Sequence, residues 1–141
     1  EVHTLNAGIT YIAQPNMLWD TATLVPELGT WYVGGNEDDD LQFAHLGSFT
    51  KTGQGMSMQF MPEYKNVMEG VDITIPFFLN YTIDGSMSTF AFTEHNLWWS
   101  IGAEATYLEH WRFATYYNNY SGPNNLWVDR DNVSVNVKYV F

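Results

Sequence analysis

Apolar and polar residues alternate with period two through most of this chain, and that leaves few architectures open. The clearest run is the last, VSVNVKYVF: Val133, Val135, Val137, Tyr139 and Phe141 are apolar, while Ser134, Asn136 and Lys138 between them are polar. Successive side chains of a β-strand point to opposite faces, so such a run predicts a strand with one oily and one wet side. VDITIPFFLNYT sets Val71, Ile73, Ile75, Phe77, Leu79 and Tyr81 against Asp72, Thr74, Pro76, Phe78, Asn80 and Thr82. NLWWSIGAEATYLE sets Leu97, Trp99, Ile101, Ala103, Ala105 and Tyr107 against Trp98, Ser100, Gly102, Glu104 and Thr106. WRFATYYNN, LNAGITYIA and MSMQFMPEY alternate in the same way. TLVPELGTWYV is less regular, but Glu27 and Gly29 fall on a face away from Leu24, Leu28 and Tyr32. The expectation is an all-β chain of seven antiparallel strands, with residues 1–141 forming one unit and no internal boundary.

Two architectures fit alternation equally well. In a soluble sandwich the oily faces meet each other. In a transmembrane barrel they meet lipid, and the wet faces line a lumen. The predicted strands run to about nine to thirteen residues, against roughly five or six in a typical soluble strand and nine to eleven in a tilted bilayer-crossing one. Aromatic residues cluster near strand ends: Trp31, Tyr32, Tyr64, Tyr81, Trp98, Trp99, Trp111, Tyr120 and Tyr139. Two such clusters flanking an apolar band predict the aromatic girdles of a membrane barrel. Glu27, Glu63, Asp72, Glu104, Arg112 and Lys138 fall on the wet faces and are expected to point into the lumen. There they would either neutralise one another or line a channel; charges removed from bulk water need partners, so mutual pairing is the simpler expectation.

Counted back from Phe141, the predicted connections are residues 121–130, 108–110, 83–95, 65–70, 34–55 and 14–22, alternating longer and shorter. Barrels carry long outer loops and short periplasmic turns, which puts Phe141 on the periplasmic side. Seven strands ending inside begin outside, and seven are too few to close a bacterial barrel. The expectation is therefore the last seven strands of a larger barrel, or a piece that closes with another chain; an eighth strand within residues 40–50 would undo it. The chain opens on Glu1 without a signal-peptide pattern, as a mature form or fragment does.

Composition excludes other classes. The net charge is -11 with five Lys plus Arg, so no basic face exists to meet phosphates, and no nucleic-acid partner is expected. There is no Cys, hence no disulfide and no thiolate metal site. No run of eighteen apolar residues supplies a transmembrane helix.

A C-terminal strand that alternates and ends in Phe, here with Tyr139 and Phe141, resembles the signal read by the outer-membrane barrel assembly machinery. The segments PEYKNVMEGVDITIPFFLNYTIDG, WWSIGAEATYLEHWRFATYYNNYSG and DRDNVSVNVKYVF, with LVPELGTWYV upstream and Glu27 at a characteristic Glu, resemble the C-terminal part of a large proteobacterial outer-membrane family of unknown-function domains. Its members often occur beside RND-type exporters and a periplasmic carrier with a lipoprotein-sorting-like fold. The acidic NEDDD and the Met-rich MSMQFM depart from the family pattern. The resemblance implies a Gram-negative outer-membrane location, contact with lipid and lipopolysaccharide, and envelope transport of hydrophobic or lipid-like compounds.

Chemical sites are sparse. Glu37, Asp38, Asp39 and Asp40 form a carboxylate cluster of the kind hard cations prefer, and in an outer loop it would bridge through such a cation to lipopolysaccharide. It lacks the spacing and Gly of an EF-hand loop, and a solvated acidic loop is the simpler reading. His3, His45, His95 and His110 are scattered, and neither a nucleophile elbow nor a phosphate loop is present. No enzyme activity and no cofactor are expected. Asp129, Arg130 and Asp131 fall where the last strand leaves its outer loop; Arg130 is expected to pair with a carboxylate at this rim and fix strand register, with a ligand-binding rim as the alternative. The reading is a transmembrane antiparallel β-barrel acting as a channel or conduit. The alternatives are a structural or adhesive barrel with a plugged lumen, and a soluble ligand-binding β-sandwich.

Overall fold

The computed structural model describes residues 1–34, 50–86, 93–123, 125 and 127–141. These residues form one nine-stranded antiparallel sheet, and no helix occurs among them. The strands are β1 (Val2–Gly8), β2 (Tyr11–Ala13), β3 (Thr21–Val33), β4 (Thr52–Met68), β5 (Val71–Thr74), β6 (Phe77–Asp84), β7 (Leu97–Tyr107), β8 (Trp111–Ser121) and β9 (Asn132–Tyr139). β1 and β2 both pair with β3, and β5 and β6 both lie between β4 and β7. The nine strands are thus seven ribbons in an up-and-down meander, each paired with its neighbours in sequence.

Two ribbons break where sequence chemistry interrupts the ladder. Pro76 has no N–H to donate and separates β5 from β6. The neighbouring strands follow the break: the Ile75 amide donates to the Pro62 carbonyl (3.0 Å) and the Gly102 amide to the Pro76 carbonyl (2.8 Å). The other break falls between β1 and β2, where the Ile9 amide donates to the Pro26 carbonyl at 3.2 Å.

Cross-strand register confirms the face of every strand. Residues directly opposite in an antiparallel pair project to the same side. One side carries the row Tyr11, Leu24, Phe60, Phe77, Ile101, Tyr117 and Val133. The other carries the row Glu27, Ser57 and Asn80, continued by Trp98 and Tyr120. The apolar side is open to its surroundings: Leu5 is 70% exposed, Leu28 61% and Val135 75%. Among the described residues few apolar side chains are buried: Ala22, Trp31 and Pro62. The oily faces do not meet each other, because the described residues form a single layer.

The sheet is open. Among the described residues β1 and β9 lie at its two ends, each with one unpaired edge. Connections alternate as expected, and more sharply. Residues 69–70 and 108–110 are tight turns and 14–20 a short loop, whereas more residues separate β3 from β4, β6 from β7 and β8 from β9 in sequence. The turn predicted at 65–70 shrinks because β4 continues to Met68, past a register shift between Tyr64 and Met68, to pair with Val71. Gly70 then turns the chain with φ of 72°, a conformation that glycine adopts without steric cost. Most of the stretch proposed for an eighth strand, residues 40–49, lies outside the described residues.

Candidate functional site

All six charged residues expected on the wet face lie there. Glu27 and Glu63 come from β3 and β4, Asp72 from β5, Glu104 from β7, Arg112 from β8 and Lys138 from β9. They do not neutralise one another. Lys65 takes two of them, with its ammonium 3.1 Å from Glu63 and 3.2 Å from Asp72. Asp72 also accepts from the Asn66 amide (2.9 Å), and Asp20 accepts from the Lys65 amide (2.6 Å), so this knot fixes the β4–β5 end of the sheet. Glu104 accepts a hydrogen bond from the Tyr116 hydroxyl. Glu27, Arg112 and Lys138 have no ion pair among the described residues. Lys65 was missed in sequence because it lies beyond the clean alternation; its spacing of two from Glu63 was the available signal.

Three glycines shape the wet face. Gly53 lies opposite Trp31, Gly102 opposite Tyr116, and Gly29 opposite Asn6. In each pair the larger side chain folds over the glycine. A Cβ on Gly102 would come within 2.5 Å of the Tyr116 ring, and one on Gly29 within 2.7 Å of the Asn6 amide oxygen. Rings laid over strand glycines fill the space the missing side chain leaves. Beside Gly29 and Trp31 lies a hollow of about 310 Å³, lined by Asn6, Glu27, Trp31, Ser57, Asn80 and Thr82. Thr82 is 1% exposed, and its hydroxyl has no hydrogen-bond partner among the described residues.

The aromatic residues divide between the faces. Tyr32, Tyr64, Tyr81, Trp99, Trp111 and Tyr139 lie on the apolar side, with Trp111 and Tyr139 in contact at one end (4.8 Å) and Trp99 and Tyr117 towards the other (5.5 Å). Trp31, Trp98 and Tyr120, expected in the same girdles, instead project from the wet face. There Phe78, Trp98, Tyr120 and Trp127 form a ladder with steps of 4.7, 5.9 and 6.2 Å.

At the rim, Arg130 has no carboxylate partner among the described residues. Its guanidinium lies 5.4 Å from the Trp127 ring centre, a cation–π arrangement. Asp131 does the structural work instead. It accepts from the Tyr117 hydroxyl (2.8 Å), the Asn119 amide (2.7 Å) and the Tyr120 backbone N–H (3.2 Å). These donors, the Tyr117 hydroxyl foremost, hold its carboxyl below the ordinary carboxylate value. Asp129 turns the loop with φ of 63°. Tyr139 closes β9 against Trp111, and the exposed Phe141 ring lies 6.1 Å from Tyr139. The acidic Glu37, Asp38, Asp39 and Asp40 lie outside the described residues. Among the described residues no three His, Asp or Glu side chains gather to hold a metal ion.

The fold and these faces define a class: an all-β chain whose single antiparallel sheet is oily on one side and charged on the other. The chain belongs to the family described as "Protein of unknown function (DUF1302)", whose model matches residues 1–141. No curated protein and no solved structure matches it.

Proposed function

We propose that this sheet is part of the wall of a Gram-negative outer-membrane β-barrel that works as a channel or conduit. One observation carries the reading: a broad apolar face with many exposed side chains backs a face that bears Glu27, Glu63, Asp72, Glu104, Arg112 and Lys138. Apolar surface of this extent is not left bare in water, whereas hydrocarbon covers it without a second protein layer. The soluble sandwich needs such a layer, and none packs there among the described residues. Short turns on one side and long connections on the other fit periplasmic and outer ends.

The two free edges support a larger barrel. Six antiparallel steps separate the β1–β2 ribbon from β9, so these ribbons run in the same direction. An all-antiparallel ring then closes only with an odd number of further strands. Resemblance to the exporter-associated family supplies the cargo class, hydrophobic or lipid-like compounds, and the partners, an RND-type exporter and its periplasmic carrier. The ring ladder from Phe78 to Trp127 gives such a cargo an apolar foothold on an otherwise wet wall. The test is conductance of the purified full-length gene product in planar bilayers, with hydrophobe flux in cells lacking the gene. Discrete conductance steps and altered flux are expected; a tight bilayer and unchanged flux would favour the plugged, structural barrel.

A further inference from the structure

Arg112 and Lys138 lie directly opposite each other on β8 and β9, both on the wet face. Like charges in this position repel, and a chain with five Lys plus Arg has placed two of them there. The same rung continues through Thr106 on β7 to Asp72 on β5. The nearby carboxylates are engaged elsewhere: Asp72 is held by Lys65 and Asn66, and Glu104 by Tyr116. Asn136, the next wet-face residue on β9, is uncharged. Neither cation has an ion pair among the described residues.

Lys138 is also on the free edge of the sheet. Strand edges within hydrocarbon need partners, because unsatisfied N–H and C=O groups there cost several kcal/mol each. What comes next to Lys138 on this rung therefore belongs to the strand that pairs with β9. We infer that β9 accepts an antiparallel strand whose wet face carries an Asp or Glu beside Lys138, so that Arg112 and Lys138 clasp one carboxylate across the seam. This rests on the barrel reading and adds the chemistry of the joining strand. Two cations around one carboxylate turn a repulsive pair into a register lock, since a slip of one residue moves the acid to the oily face.

The two accounts of this pair predict opposite signs. The assay is thermal unfolding of the full-length gene product in non-ionic detergent, followed by loss of the β-sheet circular dichroism signal. With a clasp, Lys138→Met lowers the midpoint, Lys138→Arg retains it, and added salt lowers the wild-type midpoint more than that of the Met variant. With bare repulsion, Lys138→Met and added salt both raise the midpoint, and that result overturns the inference; an unchanged midpoint does so too. Salt dependence of the wild type decides the matter even if the Met variant does not fold. A wild type that stays folded and monodisperse without detergent overturns the barrel reading itself, before any variant is made.

Discussion

Replacing Val135 by Lys separates hydrocarbon from water as the surroundings of the apolar face. Val135 lies midway along β9, projects to the oily side opposite Thr115, and is 75% exposed. At so exposed a position in water, Lys replaces Val at little cost, within about 0.5 kcal/mol. In a bilayer the same ammonium lies near the midplane, where Lys on the lipid face costs roughly 2–4 kcal/mol. At about 1.4 kcal/mol per decade, that lowers the folding constant by roughly 30- to 700-fold. The control is the adjacent residue: Asn136→Lys puts the same charge on the wet face, where repulsion from Lys138 two residues on costs less than about 1 kcal/mol. The assay is equilibrium urea unfolding of the full-length protein from phosphatidylcholine vesicles, monitored by tryptophan fluorescence. Val135→Lys is expected to shift the midpoint far below wild type while Asn136→Lys stays close to it. Equal, small shifts would refute the assignment of the apolar face to lipid.

Gly102→Val drives a Cβ to within 2.5 Å of the Tyr116 ring and 3.0 Å of the Thr115 carbonyl oxygen, so the ring leaves Glu104; a loss of about 1–3 kcal/mol is expected in the same unfolding assay, with a smaller one for Gly29→Ala, which meets only the Asn6 side chain. Asp131 has its carboxyl held below the ordinary value by Tyr117, Asn119 and the Tyr120 N–H. Its contribution is therefore complete above the ordinary value and fades as pH falls through the lowered one. Between pH 5 and pH 2 the unfolding midpoint of wild type should fall more steeply than that of Asp131→Asn; parallel curves would show that the rim contact adds nothing.

The strand faces were legible because period two is a local signal, and one phase error would have inverted a whole ribbon. The row from Tyr11 opposite Leu24 to Tyr117 opposite Val133, like Val137 opposite Phe113, follows the pattern read from sequence, whereas a register shift sets Gln54 opposite Asp84. Boundaries were less legible. Alternation gives no warning at Ile75–Pro76, because the side-chain phase survives a missing backbone donor. Nor does it show that β4 runs on to Met68, since a register shift scrambles the phase after Tyr64. Assigning Trp31, Trp98 and Tyr120 to girdles followed their position near strand ends and ignored their face. Electrostatic partners were the least legible of all. The wet-face charges were expected to pair among themselves, yet the Tyr116 hydroxyl, folded over Gly102, takes the Glu104 carboxylate. At the rim an aromatic ring rather than an acid receives Arg130. Such choices depend on which side chains stand one rung apart, and that is set by register between strands, not along one of them.

The odd count of ribbons among the described residues also bears on self-association. If the sheet crosses a bilayer as proposed, two copies of it inserted the same way up would present outer strands that all point in one direction, so β1 of one and β9 of the next could meet only as parallel partners. Joining β9 to β9 antiparallel would need one copy upside down in the bilayer. Edge-to-edge stickiness, the usual hazard of an uncapped sheet, is thereby frustrated between identical neighbours.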